Sequence, residues 1–269
     1  MNRRTGPVTG LVKALLTLLY GVPLFWIVLT SFKASNEVFG SPFSFTPTLA
    51  AYGDAIGPAL FTAFKQSATI AVGTTALVLL IAVPAAYGLA RVNGVVASLG
   101  LGLLIVFQMA PQTANVIPLF QIFGAWGLLD SMVGVIIADT ALLIPFGVML
   151  LRPFFRAVPP ALEEAAQIDG ANLVRTFWSV VLPIARNGVF TVGTLVFLLA
   201  WGEFLYAVNF FLAPGTYPLS AMLSQQVSAF GINWPGLMAL SVLTSIPILI
   251  VYSLSYKSLR DGLAVGAVK

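Results

Sequence analysis

The sequence predicts an all-α protein with six membrane-spanning helices, and three observations carry that prediction. Hydrophobic residues make up 59% of the 269-residue chain and charged residues only 8%, with a mean hydropathy of +0.98, well outside the range of soluble globular domains. The few charges gather in short clusters, separated by uncharged runs long enough to cross a hydrocarbon core of about 30 Å at 1.5 Å per residue. The cations also divide unevenly between the two ends of those runs. With both termini inside, Arg3, Arg4, Lys13, Arg91, Arg152, Arg156, Arg175, Arg186, Lys257, Arg260 and Lys269 lie on the cytoplasmic side and only Lys33 and Lys65 outside. That arrangement satisfies the positive-inside rule, and its inverse violates it.

The elements follow in order. Lys13 and Lys33 bracket 19 uncharged residues, Ala14 to Phe32, the first span. Arg3, Arg4 and Lys13 resemble the basic start of a signal peptide, but an apolar run of this length exceeds the ~7–15 residues of a cleaved one, so an uncleaved anchor is expected. Residues 34–64 hold Pro42, Pro47, Gly53, Gly57 and Pro58 and read as an external loop. Between Lys65 and Arg91 lie 25 uncharged residues, the second span, in which Pro84 implies a kink. A turn at Asn93 and Gly94 leads to a third span over about 97–118, and Ser131 to Leu151 makes the fourth. The fifth runs from Gly188 to about Phe210, and the sixth from Gly236 to Tyr256. Residues 213–235, rich in Pro and Gly, read as a loop or a re-entrant segment. The expectation is one membrane domain over 1–269, with helices at about 12–32, 66–90, 97–118, 131–151, 188–210 and 236–256.

One interval, within a cytoplasmic loop 156–187, departs from this pattern. Pro159 and Pro160 precede Ala161-Leu-Glu-Glu-Ala-Ala-Gln-Ile, and Pro is tolerated at a first helical position because the amide it lacks would be unpaired there. A helix should start near Ala161, with Glu163 and Glu164 in its first turn, where the helix dipole favours negative charge, and with Ala161, Ala165 and Ile168 as a narrow apolar stripe. Gly170 reads as a left-handed C-cap, Asn172 as the N-cap of a second helix, and Pro183 as its end. A short surface helix, a tight turn and a second amphipathic helix make an object that docks onto something.

What the composition excludes narrows the function. Cysteine and histidine are both absent, which removes disulfides, thiol catalysis, metal sites built on those ligands and a Ser/His/Asp triad. No catalytic residue and no metal site is expected. The net charge of +4 lies on membrane flanks with no basic arm, so no nucleic-acid partner is expected. There is no Gly-x-x-x-x-Gly-Lys-Ser/Thr, so any ATP hydrolysis must occur on another polypeptide.

Glu164, Ala165 and Ala166, then Gly170, then Val180, Leu182 and Pro183, with Asp169 beside the glycine, resemble the EAA motif of ABC importer permeases. The resemblance extends along the chain: Ser31-Phe32-Lys33 with Glu37-Val38-Phe39, Ala85-Ala86-Tyr87 with Ala90-Arg91, Ile117-Pro118-Leu119 with Gly127-Leu128, and the terminal Gly-Ala-Val-Lys look like carbohydrate-importer permeases. Two positions depart from that pattern. Gln66 stands where Asn is usual, and Trp-Asn-Glu-Phe reads Trp201-Gly202-Glu203-Phe204.

The resemblance implies a six-helix permease of the type I importer fold with a coupling helix between helices 4 and 5. It places the contact with the ATPase on Glu163, Glu164, Ala165, Ala166, Asp169, Gly170, Leu182 and Pro183. It further implies a second, homologous permease subunit, two ATP-hydrolysing subunits that carry ATP and Mg, an extracytoplasmic solute-binding protein and a sugar as solute, in the inner membrane of a bacterium. This chain would be non-catalytic and would bind no cofactor itself.

Two carboxylates fall within the predicted spans, Asp139 and Glu203, and a charge there is costly enough to be a functional candidate. Glu203 lies roughly 22 Å from the inner face and Asp139 roughly 12 Å from the outer face, so both belong to the outer half. With Trp201 they are candidates for the solute path or its outer gate, against structural hydrogen bonding and packing as the alternative. A secondary transporter would use the same two carboxylates for ion coupling, but that reading leaves residues 161–183 without a role. Sensitivity of uptake to vanadate or to ionophores separates the two.

Overall fold

The computed structural model describes residues 7–92, 94–213, 215–229 and 231–267; Arg3, Arg4 and Lys269 lie outside them. The helices in chain order are α1 (Pro7–Ser31), α2 (Ala50–Ala55), α3 (Pro58–Arg91), α4 (Gly94–Met109), α5 (Gln112–Ala125), α6 (Met132–Arg156), α7 (Pro160–Ile168), α8 (Leu173–Thr176), α9 (Leu182–Trp201), α10 (Leu205–Phe210), α11 (Leu219–Ser224) and α12 (Trp234–Ala267). Five described helical stretches are long and apolar enough to cross a membrane, and six if α4 and α5, bent by 83° at their junction, make one span.

Several boundaries differ from the sequence reading, each for a local reason. The expected third span over 97–118 is not straight. Pro111 lacks an N–H and holds the preceding residue out of the helical region, so α4 stops at Met109 and α5 starts afresh on another axis. Pro183 does not end a helix. Residues 173–201 are continuous, because Phe177–Val181 form a π turn in which the Leu182 N–H donates to the Phe177 carbonyl. That wider turn absorbs the bond which proline would otherwise break. At its other end this span stops at Trp201 rather than Phe210, breaks at Gly202 and resumes as α10. The second span starts at Pro58, eight residues before the expected start. The segment 213–235 holds α11 and a small antiparallel hairpin, β1 (Val227–Ser228) with β2 (Gly231–Ile232), in the register Val227↔Ile232.

The chain divides into two compact units, Met1–Phe61 with Met222–Ile246, and Thr62–Ala221 with Pro247–Lys269. In the first, Ser31 Oγ and Tyr52 Oη share a 2.7 Å hydrogen bond, and the Phe32 and Tyr52 rings pack at 5.3 Å. Lys33, expected as an external charge, is 1% exposed. Its Nζ donates to the Ser41 carbonyl at 3.1 Å and lies 5.0 Å and 5.6 Å from the Phe45 and Trp26 rings, contacts that replace water around the ammonium.

The second unit is built on α6, which packs along α9 and also against α4, α5 and α10. Helix α3 crosses α6 at Gly147, where a Cβ would stand 3.0 Å from Val78 Cγ1 and 3.2 Å from Ala82 Cβ. A side chain at Gly147 would require both neighbours to give by a few tenths of an ångström. Ile70, Phe123, Val135, Ala138, Tyr206, Phe210 and Phe211 form a buried cluster, with Phe123 edge-on to Phe210 and Tyr206 stacked on it.

Candidate functional site

The segment between α6 and α9 has the local structure its residues dictate. Pro159 is the extended N-cap of α7 and Pro160 its first residue. At the other end the Gly170 N–H donates to the Gln167 carbonyl at 3.0 Å and the Ala171 N–H to the Ala166 carbonyl at 2.9 Å, the paired bonds of a Schellman motif. Gly170 has φ +86°, which glycine adopts at little cost. Asn172 Oδ1 then accepts the Arg175 N–H at 2.8 Å and caps α8.

The two glutamates of α7, about 100° apart around the helix, differ in their surroundings. Glu164 is exposed, as are Ala165 and Asp169, and Ala166 is half-buried. Glu163 is buried. Its Oε2 accepts the Tyr87 hydroxyl at 2.6 Å, and its Oε1 accepts Arg91 Nε at 2.8 Å and is ion-paired with Arg91 Nη2. Glu163 is therefore engaged within the chain, whereas Glu164 is exposed. The apolar stripe points outward: Ile168 is 85% exposed, and Leu162, Leu173, Val174 and Trp178 are exposed around it. Leu182 and Pro183 belong to the first turn of α9 rather than to the docking helices.

The membrane carboxylates sit in the same unit, at the break between α9 and α10. Glu203 accepts the Tyr206 N–H at 2.6 Å and the Ala207 N–H at 2.9 Å, and Gln112 Nε2 donates to it at 3.2 Å. It supplies the acceptor that the first turn of α10 lacks, the work of a capping residue. Asp139 on α6 is 1% exposed, and its Oδ2 has no hydrogen-bonding partner. Trp201 is buried, with its ring 5.5 Å from Phe64 and 5.9 Å from Phe197. A cavity of about 10 Å³ beside Ser67, Trp201 and Glu203 has room for about one water. The three residues expected along a solute path are thus enclosed within the unit, and Glu203 is committed to the helix joint.

Residues 79–265 match the family model described as the binding-protein-dependent transport system inner membrane component. The chain belongs to that family. It is a permease subunit of an ABC importer, a multi-pass inner-membrane protein. This permease is 36% identical over 251 residues to a sulfoquinovosyl glycerol transport system permease protein of Agrobacterium fabrum, covering 92% of this chain and 88% of that one. It is 30% identical over 277 residues to a diacetylchitobiose uptake system permease protein of Streptomyces coelicolor, covering 100% and 90%. Its fold is similar to a chain from the crystal structure of a bacterial ABC transporter involved in the import of alginate, with TM-score 0.75, 24% identity and coverage of 96% and 98%.

Several residues that organise the permease carry no sequence signal. Asp130 has φ 55°, an uncommon conformation that Asp tolerates better than most residues. It ties the loop after α5 to the end of α10: its N–H donates to the Phe210 carbonyl at 2.9 Å, and its Oδ1 accepts the Leu212 and Ala213 N–H groups at 2.5 Å and 2.8 Å. Ser67 Oγ accepts the Leu219 N–H at 2.8 Å, 152 residues away. Only the Asp after Leu128-Leu129 at a loop end, a turn-forming residue type, hinted at the first of these.

Proposed function

We propose that this permease carries a glycoside or short oligosaccharide that an extracytoplasmic binding protein delivers, and that ATP hydrolysis on two separate subunits drives the passage. The observation that carries the coupling part is the outward apolar face around the Gly170 turn, with Ile168 85% exposed. Isolated exposed apolar residues are ordinary, but four large ones on the two short helices flanking the Gly170 turn, with Trp178 in the π turn that follows, fit a surface that a protein covers. The excess of Arg and Lys flanking this interval supports a cytoplasmic position, with both termini inside, where ATP and Mg²⁺ are available to the ATPase subunits. Glu164, Ala165, Ala166 and Asp169 share or border that face and would meet the ATPase; Gly170 sets the angle between its two helices.

The solute class is supported by the substrates named for the two relatives, a sulfosugar glycoside and a chitin disaccharide derivative. A second, homologous permease would complete the path, since in this subunit Asp139, Trp201 and Glu203 are all buried and Glu203 caps the first turn of α10. Uptake of radiolabelled diacetylchitobiose and of sulfoquinovosyl glycerol should be measured in vesicles carrying the permease with its partners. The expected result is vanadate-sensitive uptake of a glycoside that depends on the binding protein and is abolished by Ile168→Asp. Ionophore-sensitive, vanadate-resistant uptake would refute the ATP-driven reading. Vanadate-sensitive uptake confined to amino acids or inorganic anions would refute the sugar reading alone.

A further inference from the structure

The buried Glu163 is not explained by docking, because it faces away from the exposed stripe. Its partners lie on one turn of α3. Tyr87 and Arg91 are four residues apart, so they stand on one face of that helix, and the Arg91 guanidinium lies 5.5 Å over the Tyr87 ring. Arg91 Nη2 also donates to the Val158 carbonyl at 3.1 Å, just before α7. The Tyr87 ring packs 5.0 Å from Phe177 in the π turn and 5.9 Å from Phe155 at the end of α6. Arg152 Nε meets the Leu89 carbonyl at 3.0 Å, so the last turn of α3 is held from two sides.

Pro84 lies three residues before Tyr87 within α3. It cannot donate to the carbonyl one turn earlier, so the helix is weakest there. The segment from Ala85 to Arg91 is therefore joined to the rest of α3 by a ladder lacking one bond and to α7 by the Tyr87 and Arg91 side chains. Removing the Glu163 carboxylate leaves the part-buried Arg91 charge uncompensated, whereas removing the Tyr87 hydroxyl leaves the ion pair in place.

We infer that Tyr87 and Arg91 are positioning residues for α7: through Glu163 they clamp it to the part of α3 beyond Pro84, so that the two move as one body when the importer changes state. The inference rests on the reading of α7 as the ATPase-docking helix, and it assigns the membrane element from which that helix takes its position. Movement of the ATPase is passed to α3 through three side chains rather than along the backbone of the loop.

The chain has no cysteine, so with the partner subunits made cysteine-free, nitroxide labels placed at Val92→Cys and Gln167→Cys report the α3-to-α7 separation alone. Dipolar EPR is recorded on the complete importer, without nucleotide and after trapping with MgATP and vanadate. The expected separation is single, narrow and the same in both states to within the ~1–2 Å of an interface helix shift. In Glu163→Gln, and in the milder Tyr87→Phe, which keeps the ring contacts, the distribution broadens and becomes dependent on nucleotide. Vanadate-sensitive hydrolysis and glycoside uptake then part company, uptake per ATP falling about fivefold or more, while the ATPase subunits still co-purify. A wild-type separation that changes by several Å between states overturns the clamp, as do both variants giving wild-type distributions and wild-type uptake per ATP. Ile168→Asp tests the underlying reading separately. If that variant retains its ATPase subunits, the docking reading fails and the positioning role with it; if it loses them, the EPR result judges the clamp by itself.

Discussion

Replacing Gly170 isolates backbone strain from every other effect, because no heavy atom stands within 4 Å of where its Cβ would be. The cost of a side chain there is therefore conformational. A residue with a β carbon in the left-handed region pays about 1–2 kcal/mol, and φ at Gly170 is +86°. The turn has one alternative to bearing that strain, which is to open and lose the two Schellman bonds from Gly170 and Ala171. Those contribute about 0.5–1.5 kcal/mol each, so opening costs about as much as bearing the strain. Docking must restore the native turn only where it has opened, and since the two costs nearly cancel, about half the molecules hold the native form, so Gly170→Ala should weaken ATPase binding about twofold. Gly170→Asn should cost less, because Asn visits the left-handed region, and Gly170→Val more, because β-branching narrows its choices. Membrane insertion and pairing with the partner permease should be unchanged in all three. The assay is the Kd of purified ATPase subunits for the detergent-solubilised permease pair across the series. Equal affinities for Gly, Ala and Val would refute the strain argument. An Asn variant weaker than Val would show that a side-chain contact with the ATPase, not the backbone, decides the site.

Three further outcomes test the rest of the structure. Single cysteines at Gln167 and Asn172 should be labelled by an impermeant maleimide only from the cytoplasmic side, and labelling of either from outside intact cells would overturn the orientation. Asp130→Ala removes the acceptor for two backbone N–H groups and should lower the thermal stability of the solubilised permease by about 2–3 kcal/mol; Asp130→Asn, which keeps one acceptor and tolerates positive φ, should recover at least half of the loss. Glu203→Gln keeps one acceptor oxygen but turns an amide towards donors, and it should lower stability by about 2 kcal/mol without changing the apparent KM for solute. A changed KM with unchanged stability would return Glu203 to the solute path.

The pattern of charge and apolarity along the chain determined the fold class, because the bilayer accepts only helices with self-satisfied backbones and tolerates few charges within them. The 19-residue run before Lys33 and the 21 residues from Ser131 to Leu151 needed no tertiary information to be read as helices. Gly170 and Asn172 were legible for the same local reason: a left-handed cap and a side-chain cap are properties of a few consecutive residues, and the structure shows both. Proline was legible only in part. Pro111 breaks a helix and Pro183 does not, since the difference lies in the π turn at Phe177–Val181, whose wider bonding places Phe177 against Tyr87 and Phe155. The roles of the acidic residues were decided by tertiary structure alone. Glu163 and Glu164 are adjacent and chemically identical in the sequence, yet the 100° between successive helical residues turns one towards Arg91 and leaves the other in water. Glu203 reads as a stray membrane charge until α10 is seen to begin two residues later, at Leu205, with amides that need an acceptor. A carboxylate is expensive to bury wherever it lies, and only the fold determines which donors, brought from 72 or 91 residues away, offset that cost.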